Sequence, residues 1–136
     1  MKKGLMLIVF IGLLWCPTGY SQEAWILWQK TSLTGVEYPD LNTKEVVTDP
    51  KYTSWRLWRA VPDHQTCLYG AKKYPQEIVM HLRPGSYDEQ GTEIIESRLI
   101  PENPYMFLMK TKGVGIIIQM HHEFLCFPAS FDPRGK

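Results

Sequence analysis

Apolar and polar positions along the chain follow a period of two in several stretches and a three-to-four spacing in one. That alternation of patterns predicts a mixed α+β protein. Residues 24–31 (Ala24-Trp25-Ile26-Leu27-Trp28-Gln29-Lys30-Thr31) are rich in β-formers and read as a first strand. Strand alternation sets Trp25 and Leu27 on one face and Ile26 and Trp28 on the other, so both faces are apolar, as in a central strand covered on both sides. Residues 52–61 form a second strand in which Trp55-x-Leu57-Trp58 echoes Trp25-x-Leu27-Trp28. The echo is too short to be a repeat, but it suits two antiparallel strands whose aromatic residues pair across the ribbon. Arg56 shares a face with Trp58, which predicts a cation–π contact.

The helical spacing begins at Asp63, placed as an N-cap after Pro62. Cys67, Leu68, Ala71 and Tyr74 make one stripe, and Ile78, Val79 and Leu82 continue it up to Pro84-Gly85. Pro75 interrupts the run, so the pattern predicts either a kink or a second short helix starting there. Residues 92–100 fit helix and strand alike and are read as a short strand. Residues 105–110 and 114–127 flank Thr111-Lys112-Gly113, a connection suited to a β-hairpin. Residues 32–50, with Tyr38-Pro39-Asp40 and Thr48-Asp49-Pro50, read as a long mobile loop. Residues 129–136 read as an irregular surface tail. The expected fold is an antiparallel sheet of about four strands with one long or proline-broken helix packed on one face.

The N-terminus changes the picture of where such a domain works. Met1-Lys2-Lys3, an apolar run from Leu5 to Trp15 and the small residues Gly19 and Ser21 have the form of a secretory signal, with cleavage placed after Ser21. The apolar run is too short to span a bilayer as a helix, and no later segment approaches that length, so no transmembrane segment is expected after signal removal. Lipid anchoring through Cys16 is disfavoured by the bulky Trp15 before it. Residues 1–21 hold Lys2 and Lys3 and no acidic residue, so the formal charge passes from +1 to −1 over the 115 residues that remain. A near-neutral chain offers no electrostatic basis for binding nucleic acid. The expected organisation is thus a signal peptide, 1–21, and one small domain, 22–136, in the periplasm or outside the cell. Of three cysteines, Cys16 leaves with the signal, and in an oxidising compartment Cys67 and Cys126 read as a disulfide.

Trp25-Ile26-Leu27-Trp28, a cysteine in a mid-chain helix, and Cys126-Phe127-Pro128 leading to Asp132-Pro133-Arg134-Gly135 resemble a group of small, secreted, uncharacterised bacterial proteins. In that group the closing stretch reads Cys-Leu-Pro-Asp-Thr before Asp-Pro-Arg-Gly; Phe127, Ala129, Ser130 and the helical Pro75 depart from its pattern. The resemblance implies a bacterial exported origin and the Cys67–Cys126 pairing, and it implies no activity.

Candidate chemistry is sparse. His121-His122-Glu123 with Cys126 is the one cluster of metal-ligating residue types. Alternation sets His121 and Glu123 on one face and His122, Phe124 and Cys126 on the other, so these residues are weak metal candidates and no cofactor is expected. Nucleophile elbows, zinc-protease motifs and phosphate loops are missing from the sequence. The carboxylate pairs Asp88-Glu89 and Glu93/Glu96 sit in polar stretches that would not raise a pKa for acid catalysis. Trp25, Trp28, Trp55 and Trp58 fill a core or form a binding platform. The expected function is a non-catalytic binding or structural module of the bacterial cell envelope, whose partner is an unknown protein or envelope component. The alternative is a small metal-dependent or hydrolytic periplasmic enzyme using the His121/His122 strand.

Overall fold

The first strand is longer than its apolar half. In the computed structural model, which describes residues 23–135, β1 spans Trp25–Tyr38 and lies at the centre of one antiparallel sheet. Along one edge it pairs over nearly its whole length with the last strand, β6 (Ile116–Pro128), from Trp25↔Pro128 to Glu37↔Ile117. Along the other edge it pairs first with β3 (Thr53–Val61) and then with the short β2 (Thr43–Val46). Beyond β6 come β5 (Asn103–Gly113) and β4 (Glu93–Ile100), giving the order β2-β1-β6-β5-β4 with β3 also on β1. The sheet therefore has six strands where about four are expected. The signal-peptide and Cys16 readings fall outside the described residues.

The one strand outside the stretches read as strands, β2, comes from residues 32–50, read from composition as a mobile loop. Residues 32–38 continue β1, a short 3-10 turn covers Pro39–Leu41, and Asn42, at φ 53°, reverses the chain into β2. The turn chemistry at Tyr38-Pro39-Asp40 is real but confined to the hairpin tip. The polar run before it is extended because β6 and β2 supply ladder partners on both sides, a tertiary term that outweighs weak strand propensity. The final hairpin also turns later than its glycines predict. Gly113 pairs with Ile116 around the two-residue loop Val114-Gly115, with Gly115 at φ 69°, where a side chain would be strained.

The helix, α1 (His64–His81), runs through Pro75 as a single element. The Asp63 carboxylate caps it by accepting hydrogen bonds from the Thr66 N–H and hydroxyl, both at 2.8 Å. Pro75 forgoes the hydrogen bond to Ala71, but its ring is fully buried, so apolar packing compensates for the lost bond. Cys67 and Ala71 are buried against Leu27, Phe124, Phe107, Met109 and Ile94, which form the core between helix and sheet. A Cβ at Gly70 would stand 3.4 Å from Leu27 Cδ2 and 3.2 Å from the Tyr74 ring, so this residue lets the helix approach β1 closely. The Cys67–Cys126 disulfide ties the same end of the helix to β6, with the Cα atoms 6.0 Å apart. No helix among the described residues is long and apolar enough to cross a membrane.

The other face of the sheet is covered differently. Trp28 and Leu108 are buried there, on the face away from α1. Arg134 lies 4.8 Å from the centre of the Trp28 ring, Phe131 packs on Phe127 at 4.7 Å, and the Ala129 N–H bonds to the Ala24 carbonyl. The tail is thus a cover over β1 and β6, clasped internally by Asp132 and Arg134.

Candidate functional site

Alternation on three neighbouring strands gathers one set of side chains under the helix. Thr31 is paired with His122 and Phe107 with His122, so β1, β5 and β6 present Gln29, Thr31, Phe107, Met109, Met120 and His122 to the same face. The N-terminal half of α1 closes on this face near Leu27. Its C-terminal half buries Pro75 and packs Val79 on the core, but it also borders open space. Tyr74, Ile78 and Leu82 there form one wall of a cavity of about 670 Å³. Trp58 and Arg56 of β3 form a second wall, and Asp88, Glu89 and Gln90, from the segment after the helix, border the opening.

His122 lies on the floor of this cavity. It is 8% exposed and stacks on Phe107, with ring centres 4.6 Å apart and planes 9° from parallel. Its Nδ1 is 3.1 Å from Gln29 Nε2 and 3.0 Å from Thr31 Oγ1. The contact with Gln29 Nε2, a donor, is the one made by the tautomer that leaves Nδ1 unprotonated. The ring's own Nε2 is buried without a hydrogen-bond partner. Burial is the main cause that pushes the His122 pKa down to about 4, and the neighbouring His121 adds to it. The imidazole is therefore neutral at pH 7.

Both features argue against general-base catalysis by His122. A base works best with a pKa near the operating pH, and burial holds the His122 pKa far below it. The ring lines the cavity, but Nε2 itself is closed off from it. Around it the surfaces are mostly apolar: Trp58 meets Tyr74 at 5.6 Å, and Met109 and Met120 pair across β5 and β6. Charge is confined to the rim. Arg56 reaches Glu89 at 3.4 Å and lies 5.7 Å over the Trp58 ring, the contact expected from its shared face. Glu77 pairs with Lys73 at 3.2 Å, and Asp88 accepts the Gln90 and Thr92 N–H groups at 2.9 and 2.8 Å.

The residues singled out in the sequence are dispersed around this site. His121 and Glu123 point away from His122, and Cys126 is committed to the disulfide. Burial and Arg98 lower the His121 pKa. Among the described residues no group of three or more His, Cys, Asp or Glu side chains gathers to hold a metal. His64 stacks on Trp25 at 4.0 Å, and His81 Nδ1 is 2.6 Å from the Glu77 carbonyl. The four tryptophans do not share a platform. Trp25 is half-buried beside the helix start; Trp28 is buried under the tail; Trp55 is half-buried near Phe127, with Lys30 at 5.7 Å; only Trp58 lines the cavity.

Gln29, Thr31, Phe107, Met109 and Met120 are site residues that the sequence pattern does not mark. Their one signal is Gln29-x-Thr31 on the Leu27 face, two polar residues on what is otherwise a core stripe. No protein-family model, curated protein or solved structure matches the chain.

Proposed function

We propose that the chain is an exported, non-catalytic binding module that holds a small molecule in the cavity between the second half of α1 and the sheet. The observation that carries this reading is a mostly apolar cavity of about 670 Å³ whose lining includes the polar side chains of Gln29, Thr31 and the neutral His122. A concave, mostly apolar site with a few convergent polar groups is the usual form of a small-molecule pocket. Export is supported by the basic and apolar start of the sequence and by the Cys67–Cys126 bridge, which is at home in an oxidising compartment. The resemblance to secreted bacterial proteins supports an exported bacterial origin.

Native mass spectrometry of the mature protein, released from its own export compartment without denaturation, tests the reading. The expected spectrum contains an adduct of small-molecule mass that disappears in Met120→Trp, where an indole fills the cavity. A Met120→Trp variant that folds and retains the same adduct would exclude the cavity as the site.

A further inference from the structure

The sheet ends in β4 on the side away from β1 and β3, and only the start of that strand is covered. The Ile94 N–H bonds to the Ser86 carbonyl at 2.8 Å, and the Ile94 carbonyl accepts the Gly85 N–H at 2.7 Å. Ile94 therefore turns its backbone polar groups outward, although it stands opposite Thr111 of β5. Antiparallel pairs alternate between bonded and open. Counted along β5 from Thr111, the pairs Glu96↔Lys110 and Arg98↔Leu108 are bonded, and Ser97↔Met109 and Leu99↔Phe107 are open. The N–H and carbonyl groups of Ser97 and Leu99 thus point out from the edge, and no backbone segment among the described residues pairs with them. Such an edge accepts another strand.

We propose that this stretch of β4 pairs with the same stretch of a second copy, antiparallel and centred on Ser97, joining two sheets across a two-fold axis. The charges select both the occupant and the register. Centring on Glu96 sets two carboxylates face to face, and centring on Arg98 sets two guanidiniums. Centring on Leu99 sets Ser97 against Pro101, which has no N–H to give. Centring on Ser97 sets Glu96 opposite Arg98 of the second copy, twice, and lets the two Ser97 residues exchange N–H···O bonds. The same register gives Leu99, 38% exposed, the half-buried Ile95 as its neighbour.

Bonds within one chain leave room for the new pairs. Glu96 accepts Lys110 Nζ on one oxygen at 2.8 Å and Arg98 Nε on the other at 3.0 Å. The terminal nitrogens of Arg98 bond to nothing among the described residues. A guanidinium has donors, and a carboxylate lone pairs, beyond those that one bond uses. Across the join the row reads Lys110, Glu96, then Arg98 of the second copy, alternating in sign. The other outer strand, β3, carries Arg56 and Arg59 and no acid, so it has no such register with itself.

Analytical ultracentrifugation of the mature protein and two charge reversals test this. The paired stretch is short, so the dimer is weak, and the average mass should rise from one chain toward two between about 10 μM and 1 mM. Glu96→Arg and Arg98→Glu each set like charges opposite one another twice, and each alone should stay a single chain over that range. Mixed in equal amounts, the two variants should associate, because the pairing of one with the other restores opposite charges at both positions. Amide hydrogen exchange of the wild type supplies a readout without any variant: Ser97 and Leu99 should exchange several-fold more slowly at the higher concentration, and the amides of β3 should not change. A wild type that remains a single chain at about 1 mM overturns the proposal. Association that both reversals leave unchanged, variants that stay apart on mixing, or protection that appears along β3 instead of β4 overturns it as well. Should either variant fail to fold, the exchange of Ser97 and Leu99 in the wild type decides.

Discussion

The two ends of the helix–sheet interface are built to opposite specifications. At the N-terminal end of α1, Gly70 admits the helix to within contact of Leu27, Cys67 is bonded to Cys126, and Ala71 fits against the core. At the C-terminal end, larger side chains, Tyr74 and Ile78 among them, face Met109, Met120 and His122 across a cavity. Small residues and a covalent tie pull one end shut. At the other end Tyr74, Ile78 and Leu82 pack partly on the core and partly line the cavity. A helix anchored at one end can leave space at the other without losing its place, which is how a domain of this size keeps both a core and a pocket.

The largest test of this contrast is truncation at the closed end. Leu27 is 1% exposed and lies beneath the closest approach of the helix, so Leu27→Ala should cost about 3–5 kcal/mol in urea unfolding. A cost below about 1 kcal/mol would mean that the closed end is not packed. Next comes the disulfide. Its sequence separation of 59 residues gives a chain-entropy contribution of about 4 kcal/mol, and the Cys67→Ser/Cys126→Ser double variant should lose about 2–4 kcal/mol. Thiol titration of the unfolded, unreduced protein should find neither cysteine free.

How far the sequence carries toward this arrangement differs between its two ends. The closed end is legible: Cys67, Ala71 and Tyr74 lie at helical spacing after Asp63, and Cys126 lies on the core side of its strand by parity. The second half of β1 is not legible, because Ser32, Thr34 and Glu37 have no apolar stripe and are extended only through partners on both edges. The open end is the least legible. Parity places His122 on the same side as Phe124, but whether that side is packed or hollow depends on how far α1 stands off, a distance set by side chains from five elements. His122 then reads as one polar residue of a metal-like cluster. The fold turns that reading around, into a buried neutral ring with its two strand neighbours, His121 and Glu123, on the far side.

Acid should act on the open end first. The folded state holds His122 neutral, with a pKa near 4 against an ordinary value of 6.5, so between these limits the unfolded chain binds more protons than the folded one. Stability is unaffected by this group above pH 6.5, falls as the pH drops below it, and stops falling below about pH 4. The loss between pH 7 and pH 5 is about 2 kcal/mol. His121 shifts in the same direction, so the comparison to make is wild type against His122→Phe, in which most of this slope should vanish. Asp132, held down at about 2 by Arg134, acts in a separate and more acidic window and is fully exposed. A slope unchanged by His122→Phe would place the titrating group elsewhere.

The smallest effect is the sharpest test of the contrast, because it applies the same kind of truncation to the other end. Met120 lies on the core face of β6, as Leu27 does on β1, but it is half-buried and borders space that is already empty. In a packed site Met→Ala costs about 2–5 kcal/mol, of which a large part is the cavity created. Next to an existing cavity the loss reduces to the side chain's own partial burial, so Met120→Ala should cost less than about 1 kcal/mol, with an unchanged dependence on urea. A cost of 2 kcal/mol or more would show Met120 tightly enclosed and the helix seated as closely there as over Leu27.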